Sequence, residues 1–72
     1  MSYNYDKLRG KIVEVFGTLG KFSQAMEWSE RTNGLKINGK VEWKQSEIVR
    51  ASNLLGIKPD EIDIYFFDIK VQ

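Results

Sequence analysis

The side chains best equipped for chemistry in this 72-residue chain gather between Lys21 and Lys44, around the run WSERTNGLKINGK at residues 28–40. The chemistry they offer is recognition. The run opens as a base-reading helix would, with Ser29 to cap it, acidic Glu30 in the first turn, and Arg31, whose guanidinium fork suits bidentate contact with guanine. Glu30 can accept from cytosine, although a carboxylate more readily repels phosphate. Asn33-Gly34 then fall where such a helix should be strongest, and glycine inside a helix costs roughly 1 kcal/mol relative to alanine. Bond-making chemistry lacks its usual tools. With no Cys and no His, zinc ligands, thiol nucleophiles and general bases working near neutral pH are missing. No catalytic or metal-binding residue is assigned, no cofactor or small-molecule substrate is implied, and an enzyme is the class least expected.

A chain of this length makes one domain, 1–72, near the lower limit at which a single core folds unaided. It buries only about 60% of the surface it exposes when unfolded, and no disulfide can supplement that. No apolar run approaches the ~20 residues of a membrane span, and the polar start MSYNYDK lacks the apolar stretch of a signal peptide. A soluble, cytoplasmic protein is expected. The net charge of +1 hides an uneven layout. Residues 1–58 carry ten Lys/Arg against six Asp/Glu, a balance of +4, and residues 59–72 carry one Lys against four acids, a balance of −3. Nucleic-acid modules usually concentrate a larger positive field, since phosphate neutralisation supplies most of their non-specific affinity.

Five short helices are predicted to position these groups. From Asp6 to Phe16 the residues Leu8, Ile12, Val15 and Phe16 recur at spacings of three and four, which defines one helix face, and Gly17 ends it. Gly10 within this segment makes the helix lean on tertiary packing. Thr18 can cap a second helix that carries Phe22 and Met26 inward, with small Ser23 and Ala25 permitting close approach. Ser29 caps the third, and Asn38-Gly39 is its exit signal. Trp43 can pack on Ile48 as a staple at the head of a fourth helix starting near Gln45, whose stripe Ile48, Ala51, Leu54 and Leu55 runs to Gly56. Pro59 suits a first helical position, so Pro59–Tyr65 reads as the fifth. At the end the period changes: Phe67, Ile69 and Val71 alternate with Asp68 and Lys70, as Tyr3 and Tyr5 do around Asn4. The termini either pair as a short two-stranded element or fray. Leu8, Ile12, Phe22, Met26, Ile37, Trp43, Ile48 and Leu55 are expected to share one core.

Short helices with tight connections, the second and third joined around Glu27-Trp28, describe a helix-turn-helix. The run KFSQAMEWSERTNGLKINGKVEWKQSEI, followed by LLGI and FF, resembles the small Cro/repressor-type helix-turn-helix proteins of temperate phages of Gram-positive bacteria. The likeness covers nearly the whole chain and implies an all-α, lambda-repressor-like domain. Length and pattern are most similar to the modulators of repression, or antirepressors, of lactococcal phages, which bind the lysogeny repressor; other members are Cro-like operator binders. For an operator binder the resemblance implies that Ser29 brings the third helix's N–H groups to a phosphate. Glu30, Arg31, Gly34 and Leu35 would then face the groove, with Lys21, Lys40 and Lys44 on the backbone. A solvated face is the ordinary role of such lysines.

Three positions depart from that pattern. Glu27 stands where the turn usually has Gly, so a residue with a Cβ must take a positive φ or the turn must be remodelled. Asn33 fills the inward apolar slot of the third helix, and Gly34 replaces the usual Ser; together they are expected to loosen or shorten that helix. Leu35 and Ile37 lie about 200° apart around a helix, so with Ile37 inward Leu35 points out. Trp28 and Leu35 then form an apolar patch rimmed by Glu27, Glu30 and Arg31, the make-up of a protein interface. Partial burial of Trp28 between the second and third helices is the alternative. The set Glu27, Trp28, Glu30, Arg31, Gly34 and Leu35 is thus expected to bind the N-terminal, DNA-reading domain of a phage lysogeny repressor inside the bacterial host and to block operator binding. The other reading is a Cro-like sequence-specific DNA-binding repressor working through Lys21, Ser29, Arg31, Lys40 and Lys44. Weak or assisted DNA contact can accompany the first.

Overall fold

The structure, a computed structural model, describes residues 3–69. Five α-helices follow one another: α1 (Asp6–Phe16), α2 (Leu19–Met26), α3 (Glu30–Ile37), α4 (Gln45–Leu55) and, after a 3-10 turn over Pro59–Glu61, α5 (Ile62–Phe66). Their ends are set by side chains and backbone geometry that short-range chemistry dictates. The Asn4 side chain accepts from the Asp6 amide at 2.9 Å and starts α1. Thr18 accepts from the Lys21 amide at 3.1 Å and starts α2, and Ser29 does the same for α3 through Thr32 at 3.1 Å. At the head of α4 the Glu47 carboxylate reaches back to the Lys44 amide at 2.8 Å, satisfying an otherwise orphaned donor. Gly17 and Gly56 close α1 and α4 at φ 86° and 69°, a region a Cβ disfavours.

These helices bury one continuous core of Tyr5, Leu8, Ile12, Phe22, Met26, Ile37, Ile48, Ala51, Leu55, Ile57 and Phe66, with Trp43 and Leu54 packed partly buried against it. Every residue expected in the core is in it or on its edge. On the apolar face expected for α1, Val15 is the correction. It stays 45% exposed, because the contact with α2 at that end of α1 is made by its neighbour Phe16, whose ring meets Phe22 edge-on at 5.6 Å. Adjacent helical residues point about 100° apart, so only one of the two can face α2. The expected fifth helix is split, Pro59 opening a 3-10 turn before α5 proper.

The terminal segments pair at a single antiparallel bridge, Tyr3 to Ile69, supported by a hydrogen bond from the Asn4 amide to the Asp68 carbonyl at 2.6 Å. Among the described residues this pairing does not extend into strands, and the architecture is all-α. Lys70 and Val71, the rest of the alternating run, lie outside the described residues.

Candidate functional site

α3 keeps its full length. Contrary to the expectation that Asn33 and Gly34 would loosen or shorten it, the helix runs unbroken from Glu30 to Ile37. The reason is that Asn33 is not an unpaired polar group in an apolar slot. It is 2% exposed, its Oδ1 accepts from the Trp28 indole N–H at 3.0 Å, and its Nδ2 donates to the Leu19 carbonyl at 3.4 Å. A buried amide satisfied in this way avoids the desolvation penalty. Asn33, Lys36 and Ile37 form the inward side of α3. On the opposite side Arg31 is exposed and Leu35 half-buried, with exposed Glu30 and half-buried Gly34 on the flank.

Trp28 is placed differently from the outward patch expected for it. It is half-buried against the core, its N–H is spent on Asn33, and its ring meets Trp43 edge-on at 5.4 Å with the Lys36 ammonium 5.5 Å from its centroid. Asn33 and Lys36 belong to the inward side of α3, so the indole is drawn to that side while Leu35 lies about 100° further round. What remains open of Trp28 lines, with Met26, Val49 and Arg50, a groove between the α2–α3 turn and α4. The signal for this was in the sequence, as an Asn in an apolar slot five residues after a Trp that needs an acceptor.

Glu27 takes the positive φ that its position demands, at 63°, alone in this among the described non-glycine residues. Left-handed backbone costs an L-residue roughly 1–2 kcal/mol. Partial compensation comes from Arg50, whose guanidinium pairs with the Glu27 carboxylate and donates to the Ala25 carbonyl at 3.2 Å. Both side chains of that pair are well exposed, and such pairs contribute about 0–1 kcal/mol. The backbone term wins, so Glu27→Gly is expected to stabilise the fold by about 0.5–1 kcal/mol, measured by chemical denaturation. A loss of stability would show that the Arg50 clamp outweighs the turn strain.

Beneath α3 lies a buried charged group that the sequence analysis did not single out. Lys36 is 5% exposed; its ammonium donates to Glu47 Oε1 at 2.5 Å and to the Glu42 carbonyl at 2.9 Å. The Trp43 indole donates to the Lys36 carbonyl at 3.1 Å. Desolvation pushes the Glu47 carboxyl up, but the hydrogen bonds from Lys36 and the Lys44 amide, with the charges of both lysines, outweigh it and hold the group below its ordinary value of 4.5. A carboxyl lowered on folding contributes stability that is present in full above its unfolded value and is lost as pH falls through the folded one. The unfolding midpoint is therefore expected to fall below about pH 4.5, and to fall less steeply with pH in Glu47→Gln.

The residues suited to phosphate, Lys21, Ser29, Arg31, Lys40 and Lys44, are all exposed. The hydroxyl of Ser29 is already engaged, accepting from the Thr32 amide and donating to the Thr32 hydroxyl at 3.1 Å. The Glu30 carboxylate lies over the first turn of α2, one oxygen 3.2 Å from where a Cβ on Gly20 would stand. A helix N-terminus is a ready anion position. Here the chain's own acid lies beside it.

Among the described residues no cluster of acidic side chains is placed to hold a metal ion, and no helix is long and apolar enough to cross a membrane. Residues 1–69 match a family model described as a protein of unknown function (DUF739). Among solved structures, the chain is similar to the solution structure of the modulator of repression of the temperate bacteriophage TP901-1 from Lactococcus lactis. The two are 50% identical over 100% of this chain and 97% of that one, with a TM-score of 0.83. No protein of curated function matches.

Proposed function

This chain belongs to the DUF739 family, and from that premise we propose that it regulates a phage lysis–lysogeny switch as an antirepressor, binding the N-terminal DNA-reading domain of the lysogeny repressor and occluding it from the operator. Its likeness to a modulator of repression along the whole chain supports a regulatory, non-enzymatic role. The observation that carries the mechanism is the make-up of the α3 outer side. Arg31 shares that surface with Glu30 and Leu35, and the Glu30 carboxylate lies beside the first turn of α2, where its charge disfavours a phosphate. Acid and apolar groups so placed repel a duplex and suit the basic surface of a DNA-reading protein. Glu27, Glu30, Arg31, Gly34 and Leu35 form the proposed contact set, with the open part of Trp28 at its edge.

A titration distinguishes this from an operator-binding repressor. Labelled switch-region DNA is mixed with the chain at two salt concentrations, with and without the repressor's N-terminal domain. Binding to DNA alone is expected to be weak, steeply salt-dependent and without site preference, and addition of the chain should release repressor from DNA. Tight, site-selective binding by the chain alone, lost in Arg31→Ala, would establish the operator-binding reading instead.

A further inference from the structure

The helix that presents the proposed surface is held to the body of the protein largely by directional bonds. Of the three buried residues of α3, only Ile37 is apolar; the other two are Asn33 and Lys36. Apolar contact is non-directional, so a helix seated on leucines can roll by some degrees at little expense. Hydrogen bonds weaken steeply as their angle departs from linear. Those of α3 run to separate parts of the fold. Asn33 holds the Trp28 indole in the preceding turn and the Leu19 carbonyl at the start of α2. Lys36 holds the Glu42 carbonyl in the following loop and the Glu47 carboxylate on α4, while its own carbonyl takes the Trp43 indole. A roll of α3 in either sense would stretch some of these bonds together.

We propose that Asn33 and Lys36 are positioning residues that set the roll angle of α3, and with it the direction in which Glu30, Arg31 and Leu35 point, rather than being a main source of stability. Exchange of buried polar groups for apolar ones of similar volume is often neutral or stabilising provided that no partner is left buried and unpaired, which separates the two roles. The residues left behind permit the exchange. Trp28 lines the open groove between the α2–α3 turn and α4, and the Glu47 side chain is 21% exposed and keeps the Lys44 amide as a donor.

The test is the double variant Asn33→Leu/Lys36→Met, which leaves the outward residues of α3 intact. Three quantities are measured: the urea unfolding midpoint, residual dipolar couplings of the α3 amides in the free protein, and calorimetric titration into the repressor's N-terminal domain. Only the third rests on the function proposed above. The expected result is an unfolding midpoint at or above that of the parent, α3 couplings displaced as a block by a roll of about 10–20° or broadened by averaging, and repressor affinity lowered roughly tenfold or more. Unchanged couplings would overturn the proposal, whatever the affinity does. A collapsed midpoint would overturn it too, by showing that these bonds hold the fold. A rolled helix that binds repressor as the parent does would refute the claim that the roll aims the surface. If the parent chain itself does not bind repressor, the antirepressor function fails while the couplings still decide the positioning role.

Discussion

Glu47→Ala should destabilise the domain by about 3 kcal/mol, out of a total that a chain of this size keeps near 4–11 kcal/mol. The carboxylate does two jobs with one oxygen. It neutralises Lys36, whose side chain is 6% exposed, and it accepts from the Lys44 amide at the head of α4. Removing it leaves an ammonium buried against Trp28 with only the Glu42 carbonyl as hydrogen-bond partner. Breaking one side of a buried pair is expensive because the remaining charge is still desolvated. The reverse change, Lys36→Met, should cost far less, since Glu47 sits nearer the surface and keeps its amide donor. Chemical denaturation of the two single variants measures the difference. Equal effects would mean that Lys36 finds solvent when its partner is gone.

Phe22→Ala should cost about 3–5 kcal/mol. The ring is fully buried in α2 and meets Phe16 of α1 edge-on, so truncation leaves a cavity where the first two helices join. Leu55→Ala, at the end of α4, should cost about 2–5 kcal/mol through the same mechanism. In so small a domain either change brings the folded state close to the edge of stability, and both are read from the shift of the denaturation midpoint at constant slope. A loss below a few tenths of a kcal/mol at both sites would contradict the core assignment.

Most of this fold was legible in the sequence because its helices are punctuated by residues with a single local job. Gly17, Thr18, Ser29, Gly56 and Pro59 each mark a boundary through backbone freedom, a capping oxygen or a fixed φ, and none of these effects needs a distant partner. The apolar rows of α1, α2 and α4 were legible for the same reason, apart from Val15, whose exposure depends on which of two neighbours reaches α2. The base of α3 was not. Lys36 is one position from inward Ile37 and three from Asn33, so its side of the helix was implied, but lysine is so rarely buried that a solvated role was the natural reading. Only the fold brings Glu47 to it across eleven residues and into another helix. Trp28 is the same case in reverse, an aromatic in a turn whose direction is set by an acceptor on the next helix. Of the proposed contact set, the outer placement of Glu30 and Arg31 followed from the resemblance and that of Leu35 from helical spacing, whereas the approach of Glu30 to the first turn of α2 depends on the crossing of two helices.

The edge-to-face packing of Trp28 on Trp43 gives the molecule an optical property. These are the chain's two tryptophans, and at 5.4 Å they form a single chromophore pair between the turn before α3 and the loop before α4. Their mutual orientation sets an exciton couplet in circular dichroism, and the ammonium of Lys36 stands over the Trp28 ring. The tryptophan signal of the unlabelled protein therefore comes from directly beneath α3, and a ligand that shifts that helix writes its own spectrum.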